Sequence, residues 1–496
     1  MAIDHFDVLI VGAGLSGIGA GYHLQARCPD KSYAILEARG AIGGTWDLFR
    51  YPGVRSDSDM YTLGYSFRPW TDAKSIADGP SILSYVRATA QEQGIDRRIR
   101  FDHRVARAEW SSEDARWTVE AQRGPTAEIV RLTCNFLFMC SGYYDYREGY
   151  TPEFAGVDRF AGRVVHPQHW PDDIDWAGKR VVVIGSGATA VTLVPAIAES
   201  AAHVTMLQRS PSYVLSVPDE DVMANRLRAV LPSKLAYGIV RWKNVLRFML
   251  FFTMSRRAPG VVKRLLRRQV RAQLPAGFDV DAHFTPRYDP WDQRMCFVPH
   301  GDLFSAIRNG RADVVTDRIE TFTERGISLA SGTELAADII VTATGLKLIV
   351  GGGVELSVDG APVDAAKALS YKGMMLSDVP NFASCIGYTN ASWTLKCDLT
   401  CEYVCRLLNH MAANGYRQCT PRNVDPSITT MPIIDFSSGY VQRSIHEFPK
   451  QGSKKPWRLY QNYALDIAML KFGSVEDAME FVRTDAAGAR RADVVG

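Results

Sequence analysis

Two glycine-rich turns carry the clearest chemical signal in the sequence. The first has Gly12, Gly14 and Gly17 after the apolar run 6–11, and Glu37 ends the next apolar run. Free N–H groups at a helix N-terminus bind a pyrophosphate, and an acid about 20–25 residues further on accepts bonds from a ribose. We predict an FAD-type dinucleotide site here; a glycine turn without a ligand is the alternative.

The second turn follows the apolar run 181–184 and leads to a strand that ends in Arg209. An acid at this position would repel a 2′-phosphate, whereas an arginine can bind one. The pattern predicts an NADPH site, and a solvated surface arginine is the alternative for Arg209. Its proposed residues are Gly185, Ser186, Gly187, Ala188, Thr189, Ala190, Val191, Arg209 and Ser210.

Strands and helices of an α/β fold must position these turns. Small residues end two further strands, at Ser141-Gly142 and at Ala343-Thr344-Gly345, where the backbone is expected to pass between nucleotide domains. We therefore predict two Rossmann-like domains, the NADPH domain inserted into the FAD domain. The FAD domain takes residues 1–145 and, with the C-terminal region, 341–496; the NADPH domain takes 146–220 and 286–340; a basic helical insert takes 221–285.

Composition sets the class of protein. The chain has 496 residues, of which 46% are hydrophobic, and its net charge is +3. These values exclude a disordered or disulfide-scaffold protein and do not suggest a nucleic-acid partner. Nine scattered cysteines, no basic leader and no apolar run of about 18–20 residues predict a cytoplasmic protein with reduced thiols. The oligomeric state is left open.

The segment 222–278 differs from the rest of the chain because it has thirteen Lys or Arg and no Asp or Glu. Basic residues interspersed with aromatic ones at helical spacing favour two interpretations. The insert either associates peripherally with an anionic membrane or caps the NADPH domain with a solvated basic face.

Two other patterns are judged structural. His166 and His169 are three residues apart, but no cysteine or carboxylate cluster accompanies them, so we predict no metal site. Cys397, Cys401 and Cys405 fall on one stripe of a helix and indicate a buried seam. The first domain offers only Cys28, which argues against flavin disulfide reductase chemistry.

The segment between the turns, 160–171, resembles a known fingerprint. Phe160, Gly162, His166, Trp170 and Pro171 match the FxGxxxHxxxWP motif of type I Baeyer–Villiger monooxygenases. The segment 43–57 resembles the family's flavin-cradling segment, and 291–294 resembles the segment with its active-site arginine. The segments 387–396 and 451–458 resemble one subgroup in particular, which contains the mycobacterial ethionamide-activating enzyme. The resemblance covers nearly the whole chain.

This resemblance implies a reaction. NADPH reduces the flavin, O2 adds to give a flavin C4a-peroxide, and oxygen transfer converts ketones to esters or lactones, or sulfides and thiocarbonyls to S-oxides. A fixed cation must stabilise the peroxyanion, which the resemblance assigns to Arg294, with Asp57 as its partner. A structural ion pair is the alternative for Arg294, and a helix N-cap for Asp57. His166 is expected to organise domain contacts rather than to transfer a proton.

The resemblance also implies cofactor contacts. For FAD these are Ser16, Glu37, Thr45, Trp46, Asp47, Leu48, Asp57 and Val105, the last on a strand predicted over 99–106; for NADPH, Arg55 and Ser56 join the second turn. Many members have Lys-Arg where this chain has Gln293-Arg294, so its preference for NADPH over NADH is expected to be weaker. The alternatives for function are a flavin N- or S-monooxygenase, disfavoured by Trp170-Pro171, an NADPH-sensing membrane-surface protein, and an uncoupled NADPH oxidase.

Overall fold

The computed structural model describes residues 3–484 and 490–495. Its largest sheet has nine strands in the order β20-β19-β4-β5-β6-β1-β2-β3, and β23 also pairs with β6. In the parallel part, β3-β2-β1-β6-β23, the strand β2 and the last four residues of β1 and of β6 are fully buried, as their continuous apolar runs predict. The strands are β1 (Asp4–Val11), β2 (Tyr33–Leu36), β3 (Ile99–Arg100), β4 (His103–Ser111), β5 (Arg116–Arg123), β6 (Glu128–Met139), β19 (Glu355–Val358), β20 (Ala361–Pro362) and β23 (Phe382–Ser384).

A second sheet is parallel throughout, in the order β13-β10-β9-β17-β8. Its strands are β8 (Arg163–Val165), β9 (Arg180–Ile184), β10 (His203–Gln208), β13 (Ala312–Thr316) and β17 (Ile339–Thr342). The chain enters this sheet after β6 and returns to the first sheet at β19, so the second nucleotide fold is inserted into the first.

Smaller sheets complete the molecule. They contain β7 (Tyr144–Gly149) with β18 (Leu346–Leu348), β11 (Val214–Val217) with β12 (Cys296–Pro299), β14 (Ile319–Thr323), β15 (Gly326–Leu329) and β16 (Glu334–Ala336), β21 (Ser370–Tyr371) with β22 (Met375–Leu376), β25 (Thr430–Pro432) with β26 (Lys450–Gly452), and β24 (Tyr416–Pro421), β27 (Met479–Thr484) and β28 (Arg490–Val495).

The insert after β11 is helical, as predicted. It consists of α6 (Val222–Val230), α7 (Ser233–Arg257), α8 (Pro259–Gln273) and α9 (Val280–Phe284). The other α-helices are α1 (Leu15–Arg27), α2 (Thr45–Leu48), α3 (Met60–Leu63), α4 (Gly79–Glu92), α5 (Ala188–Ile197), α10 (Asp302–Arg308), α11 (Trp393–Asn414), α12 (Gly439–Gln442) and α13 (Tyr463–Asp466). Within the described residues, no helix combines the length and apolar character needed to cross a membrane.

One predicted strand is wrong. The expected strand over 99–106 is divided into β3 and β4, because Asp102 has a positive φ of 55° and turns the chain. The cysteine stripe was predicted correctly: Cys397, Cys401 and Cys405 are free thiols buried on α11, which packs on α1.

Candidate active site

The first glycine turn lies between β1 and α1. Gly12 has a φ of +105°, and a Cβ there would lie 2.7 Å from the carbonyl oxygen of Cys140. Gly14 is the N-cap of α1 and has no side-chain capping bond, so the first N–H groups of the helix are available to an anion. A Cβ on Gly17 would overlap the Gly12 carbonyl, so glycine is required there for close packing. The turn therefore fits the pyrophosphate of a dinucleotide.

Glu37 is buried at the end of β2, against this turn. Its Oε2 accepts a hydrogen bond of 2.7 Å from the Ala13 N–H, and its Oε1 accepts one of 2.9 Å from the Arg39 N–H. Burial raises the pKa of the Glu37 carboxyl above its usual value. The acid is thus fixed at the ribose end of the turn, as the predicted dinucleotide site requires.

The segment 45–48 forms the short helix α2 beside the turn. Thr45 Oγ1 lies 3.0 Å from the hydroxyl of Tyr146. The buried Asp47 carboxylate pairs with Arg39 at 2.6 Å and with Arg87 at 2.8 Å. The Asp47 carboxylate is therefore buried and already paired with two arginines of the protein. Thr45, in contrast, is only half-buried. The half-buried Trp46 packs against the apolar cores of both domains.

Three other predicted FAD contacts, Ser16, Val105 and Leu48, lie in the same region. Trp393, at the start of α11, donates a hydrogen bond of 2.8 Å from its Nε1 to Ser16 Oγ. Val105 is buried on β4, whose first residue, His103, donates its N–H to the Glu37 carbonyl at 2.8 Å. The half-buried Leu48 ends α2. Sequence reasoning missed Trp393 as a partner of Ser16, since the two are 377 residues apart.

The second turn lies between β9 and α5. A Cβ on Gly185, which has a φ of +143°, would overlap the Ala343 carbonyl, whereas one on Gly187 would meet no atom within 4 Å. Ser186 Oγ donates a hydrogen bond of 3.1 Å to the Ser210 carbonyl, which joins the turn to the end of β10. The first residues of α5, Ala188 to Val191, have no side-chain cap before them. The residues fit a second dinucleotide.

The predicted phosphate-binding arginines differ in their surroundings. Arg209 is exposed at the end of β10, and no carboxylate pairs with it among the described residues. Arg55 forms an ion pair with Asp302, the first residue of α10, and is only 14% exposed. Ser56 is buried, and its Oγ accepts a bond of 2.9 Å from the Ser58 N–H. Arg209 therefore offers the freer positive charge.

Arg294 and Asp57 form a two-pronged ion pair. The Arg294 Nε donates to Asp57 Oδ2 at 2.7 Å, and its Nη2 donates to Oδ1 at 2.9 Å. The charge of Asp57 raises the pKa of the Arg294 guanidinium above its ordinary value, so the cation persists at any working pH. The N-cap alternative for Asp57 is wrong, because Asp59 caps α3 by accepting a bond of 3.1 Å from the Thr62 N–H.

A cavity of about 730 Å³ opens beside this ion pair. Asp57 lies in its wall, and α7 supplies one long side through Phe248, Phe251 and Phe252. Further lining comes from the segments 388–395 and 460–463, and Val245 of α7 packs against Tyr388 and Leu395. The cavity is large enough for a small organic substrate and is mainly apolar, as ligand sites usually are.

Helix α7 also holds the loop that carries Arg294, which the sequence did not indicate. The buried Trp291 packs edge-on against Phe248 and Phe252, with ring centroids 5.5 and 5.6 Å apart. Arg256 Nη1 donates to Asp292 Oδ1 at 2.7 Å. The run of aromatic residues at 248–252 was a signal for packing, but the sequence cannot say which loop it packs on.

The fingerprint segment forms the edge strand β8 and a 3₁₀ turn, Pro167–His169. His166 Nδ1 accepts a bond of 3.2 Å from the Gln168 N–H, and its Nε2 lies 3.2 Å from the Gly345 carbonyl. Burial lowers the pKa of the His166 imidazole. A neutral ring that donates to Gly345 therefore connects the segment to the crossover between domains.

The other fingerprint residues have packing partners. Phe160 packs edge-on on Phe322, at 6.4 Å between centroids, and a Cβ on Gly162 would overlap the Asp338 carbonyl. Trp170, which precedes Pro171, packs edge-on on Trp176 at 5.8 Å. No group of three or more metal-ligating side chains occurs in the described part of the chain.

Comparison with known proteins adds independent evidence. Residues 65–350 match the model of the flavin-binding monooxygenase-like family, and residues 10–74 match an NAD(P)-binding Rossmann-like domain. The chain is 57% identical to the FAD-containing monooxygenase EthA of Mycobacterium tuberculosis, over 96% of this chain and 97% of the relative. It is 53% identical to EthA of Mycolicibacterium smegmatis, over 98% of both chains.

The chain belongs to the flavin-binding monooxygenase-like family. It is therefore a flavin monooxygenase, and the enzyme class predicted from the sequence is confirmed.

Two solved structures have the same fold. A steroid monooxygenase bound to NADP superposes with a TM-score of 0.74 at 23% identity, covering 97% of this chain and 100% of that one. An open structure of cyclohexanone monooxygenase gives 0.75 at 18% identity, covering 96% and 99%. These matches confirm the prediction of an α/β fold with two dinucleotide-binding domains.

Proposed function

We propose that this flavin monooxygenase converts ketones to esters or lactones and oxidises sulfides or thiocarbonyls at sulfur. The predicted cofactors, FAD and NADPH, agree with the FAD-containing relatives and with the NAD(P)-binding domain. The balanced reaction on a ketone consumes one NADPH, one H⁺ and one O2, and gives ester, NADP⁺ and water. The observation that carries the proposal is the two-pronged Arg294–Asp57 pair at the wall of the apolar cavity.

The chemistry that FAD supplies when bound, once NADPH has reduced it, is the activation of O2. The chain's own residues prepare the surroundings. Arg294 presents a positive charge to oxygen atoms that become negative during transfer, and such preorganised electrostatic stabilisation is often the largest contribution to catalysis. Asp57 fixes the guanidinium plane through two parallel hydrogen bonds.

The cavity contributes by excluding water. Its lining includes three phenylalanines of α7 and apolar side chains of the segment 388–395. An apolar wall accepts the carbon skeleton of a ketone or sulfide, and it limits the release of hydrogen peroxide by keeping water out.

The predicted nucleotide contacts are proposed as follows. FAD binds along Gly12, Gly14, Ser16, Gly17, Glu37, Val105 and residues 45–48, and NADPH binds along residues 185–191 with Arg209 and Ser210. The domain boundaries given above are likewise proposals. We also propose that the protein is cytoplasmic and associates with anionic membranes through residues 222–278.

The test is product analysis with ¹⁸O2. The purified FAD-loaded protein is mixed with NADPH and either a ketone or a thioether, and products are identified by mass spectrometry. We expect one ¹⁸O atom in each ester or S-oxide and one NADPH consumed per product. NADPH consumption that yields only hydrogen peroxide with every substrate would contradict the proposal.

A further inference from the structure

The loop between α2 and α3, residues 49–59, belongs to the first nucleotide fold but packs on the second. A Cβ on Gly53, whose φ is +74°, would lie 2.8 Å from the Ala196 Cβ and 2.9 Å from the Thr192 carbonyl oxygen. Both residues belong to α5, the helix that follows the second glycine turn. The loop therefore lies directly on the helix that begins at the proposed NADPH site.

Tyr51, in the same loop, contacts the first turn of that helix. Burial raises the pKa of the Tyr51 phenol to about 12, whereas a hydrogen bond with Thr189 and the positive charge of Arg55 lower it. Thr189 is the second residue of α5. The guanidinium of Arg55 therefore lies close to the start of α5, where the free N–H groups of the second turn are found.

Arg55 is held by a carboxylate of the second nucleotide fold. Its Nη1 and Nη2 donate to the two carboxylate oxygens of Asp302, the bond from Nη2 to Oδ1 at 3.3 Å. The two side chains are 14% and 30% exposed, so the pair is partly shielded from water. Asp302 Oδ1 also accepts a bond of 2.8 Å from the Leu303 N–H. Because this second bond fixes the shorter side chain, Arg55 is the partner that can move.

A second ion pair joins the same two segments with the charges reversed. Arg55 pairs with Asp302, three residues after β12, and Asp57 pairs with Arg294, two residues before β12. Each end of this strand is therefore tied to the loop by its own pair. When Arg55 leaves Asp302, the pair of Asp57 and Arg294 still holds the two folds together.

A phosphate and a carboxylate compete for such an arginine. A guanidinium binds either group through two parallel hydrogen bonds. The pair of Nη groups that Asp302 occupies cannot hold both groups at once. A phosphate on Arg55 would also lie beside the negative charge of Asp302, and like charges repel each other. Binding of a phosphate to Arg55 therefore requires that the ion pair with Asp302 opens.

We propose that Asp302 holds Arg55 in the nucleotide-free protein and that the pyrophosphate of NADPH displaces it. Asp302 is then a positioning residue, which lowers nucleotide affinity and pairs with Arg55 again when NADP⁺ leaves. The apparent affinity falls by the fraction of molecules in which the binding group is free. A pair that is closed in about nine molecules of ten weakens binding about tenfold. The inference rests on the NADPH site of the proposed function, with Arg55 as one of its contacts.

The first experiment measures nucleotide binding. The oxidised, FAD-loaded protein is titrated in a calorimeter with NADP⁺ and with NAD⁺. Asp302→Asn should bind both nucleotides about tenfold more tightly than wild type, because the pyrophosphate is common to both. The matched control is Glu320→Gln, which removes an exposed acid on β14 and should bind as wild type does. Unchanged or weaker binding by Asp302→Asn would overturn the proposal.

A double variant tests whether the effect passes through Arg55. Arg55→Gln should weaken the binding of both nucleotides about tenfold, the equivalent of a charge-assisted hydrogen bond. In the Arg55→Gln protein, Asp302→Asn should change the affinity less than about twofold, because the competition no longer exists. An equally large effect of Asp302→Asn with and without Arg55 would overturn the proposed competition.

Thermal unfolding separates this role from a purely structural one. Without nucleotide, Asp302→Asn should have a lower Tm than wild type, because Arg55 loses its partner. With saturating NADP⁺ this difference should disappear, since the tighter complex gains more stability from its ligand. A Tm difference of the same size under both conditions would indicate an ion pair that only stabilises the fold, and would overturn the proposal.

These measurements use neither substrate nor O2, so they do not depend on oxygen transfer. Normal binding by wild type together with the wrong response of Asp302→Asn would contradict this inference alone. Failure of the wild type to bind either nucleotide would overturn the NADPH site of the proposed function and this inference with it.

Discussion

At the scale of single residues, the proposed chemistry depends on one positive charge, that of Arg294, which is held in a fixed position. Arg294 cannot lose its proton in a protein, and Asp57 holds it with bonds of 2.7 and 2.9 Å. The sequence predicted both residues by resemblance. Their distance could not be predicted, since they are 237 residues apart in the chain.

The first prediction concerns this cation. Arg294→Ala should lower ester and S-oxide formation at least about a hundredfold, because it removes a preorganised stabilising charge. Flavin reduction by NADPH should persist, with hydrogen peroxide as the main product. Arg294→Lys keeps the positive charge but cannot form the two-pronged bond. Its rate of product formation should lie between those of wild type and Arg294→Ala. Product, NADPH and peroxide are measured together; unchanged product formation in Arg294→Ala would refute the role.

The second prediction concerns nucleotide selectivity. Arg209→Ala should raise the KM for NADPH about 10–100-fold, the equivalent of a charge-assisted hydrogen bond, and leave the KM for NADH nearly unchanged. Steady-state kinetics with both nucleotides measure this. Arg325→Ala, an exposed arginine in the hairpin at β15, is the control and should change neither. Equal effects on NADPH and NADH would remove the 2′-phosphate role.

At the scale of elements, the fingerprint segment connects the second sheet to the domain crossover. His166 follows β8 and bonds to the Gly345 carbonyl beyond β17. The sequence predicted a linker here, and the structure adds that residues 163–165 are an edge strand of the second sheet. Strand pairing with β17 was not predictable, because the partners are about 175 residues apart.

The third prediction is a pH dependence. Burial places the pKa of His166 below its ordinary value of 6.5. Between the two pKa values the unfolded chain binds the extra proton and the folded protein does not, so stability falls as the pH drops below about 6.5. His166→Gln keeps a donor and an acceptor but does not titrate. As the pH falls from 8 to about 5.5, the Tm of wild type should therefore decrease relative to the Tm of His166→Gln. A Tm difference that stays constant over this pH range would contradict the prediction.

At the scale of the whole molecule, a buried ion pair attaches the C-terminal segment to the FAD domain. Lys396 Nζ on α11 lies 2.9 Å from Asp466 Oδ2 on α13, and their side chains are 3% and 2% exposed. Tyr388 also donates its hydroxyl to the same oxygen at 2.5 Å. The pair fixes a part of the chain that lines the cavity.

The fourth prediction follows from this burial. Lys396→Met leaves the Asp466 charge buried without its cation and should lower the free energy of unfolding by about 3–5 kcal/mol. Lys396→Met with Asp466→Leu should restore most of that loss, because no unpaired charge remains. Lys367→Met, which breaks the exposed pair with Asp364, should cost about 0–1 kcal/mol. Urea unfolding measures all three; a double variant as unstable as Lys396→Met would disprove the explanation.

The sequence by itself determined the two nucleotide folds, because glycine turns and buried apolar runs are local signals. It also indicated the helical, acid-free insert. It could not determine that the strand is divided at Asp102 or that α7 packs on the loop that carries Arg294. It also could not determine that Asp47 and Arg55 form ion pairs within the protein. The division of the strand comes from the positive φ of Asp102, whereas the ion pairs and the packing of α7 depend on contacts between separate segments of the chain. Only the tertiary structure decided which face of α7 lines the cavity and which is left exposed.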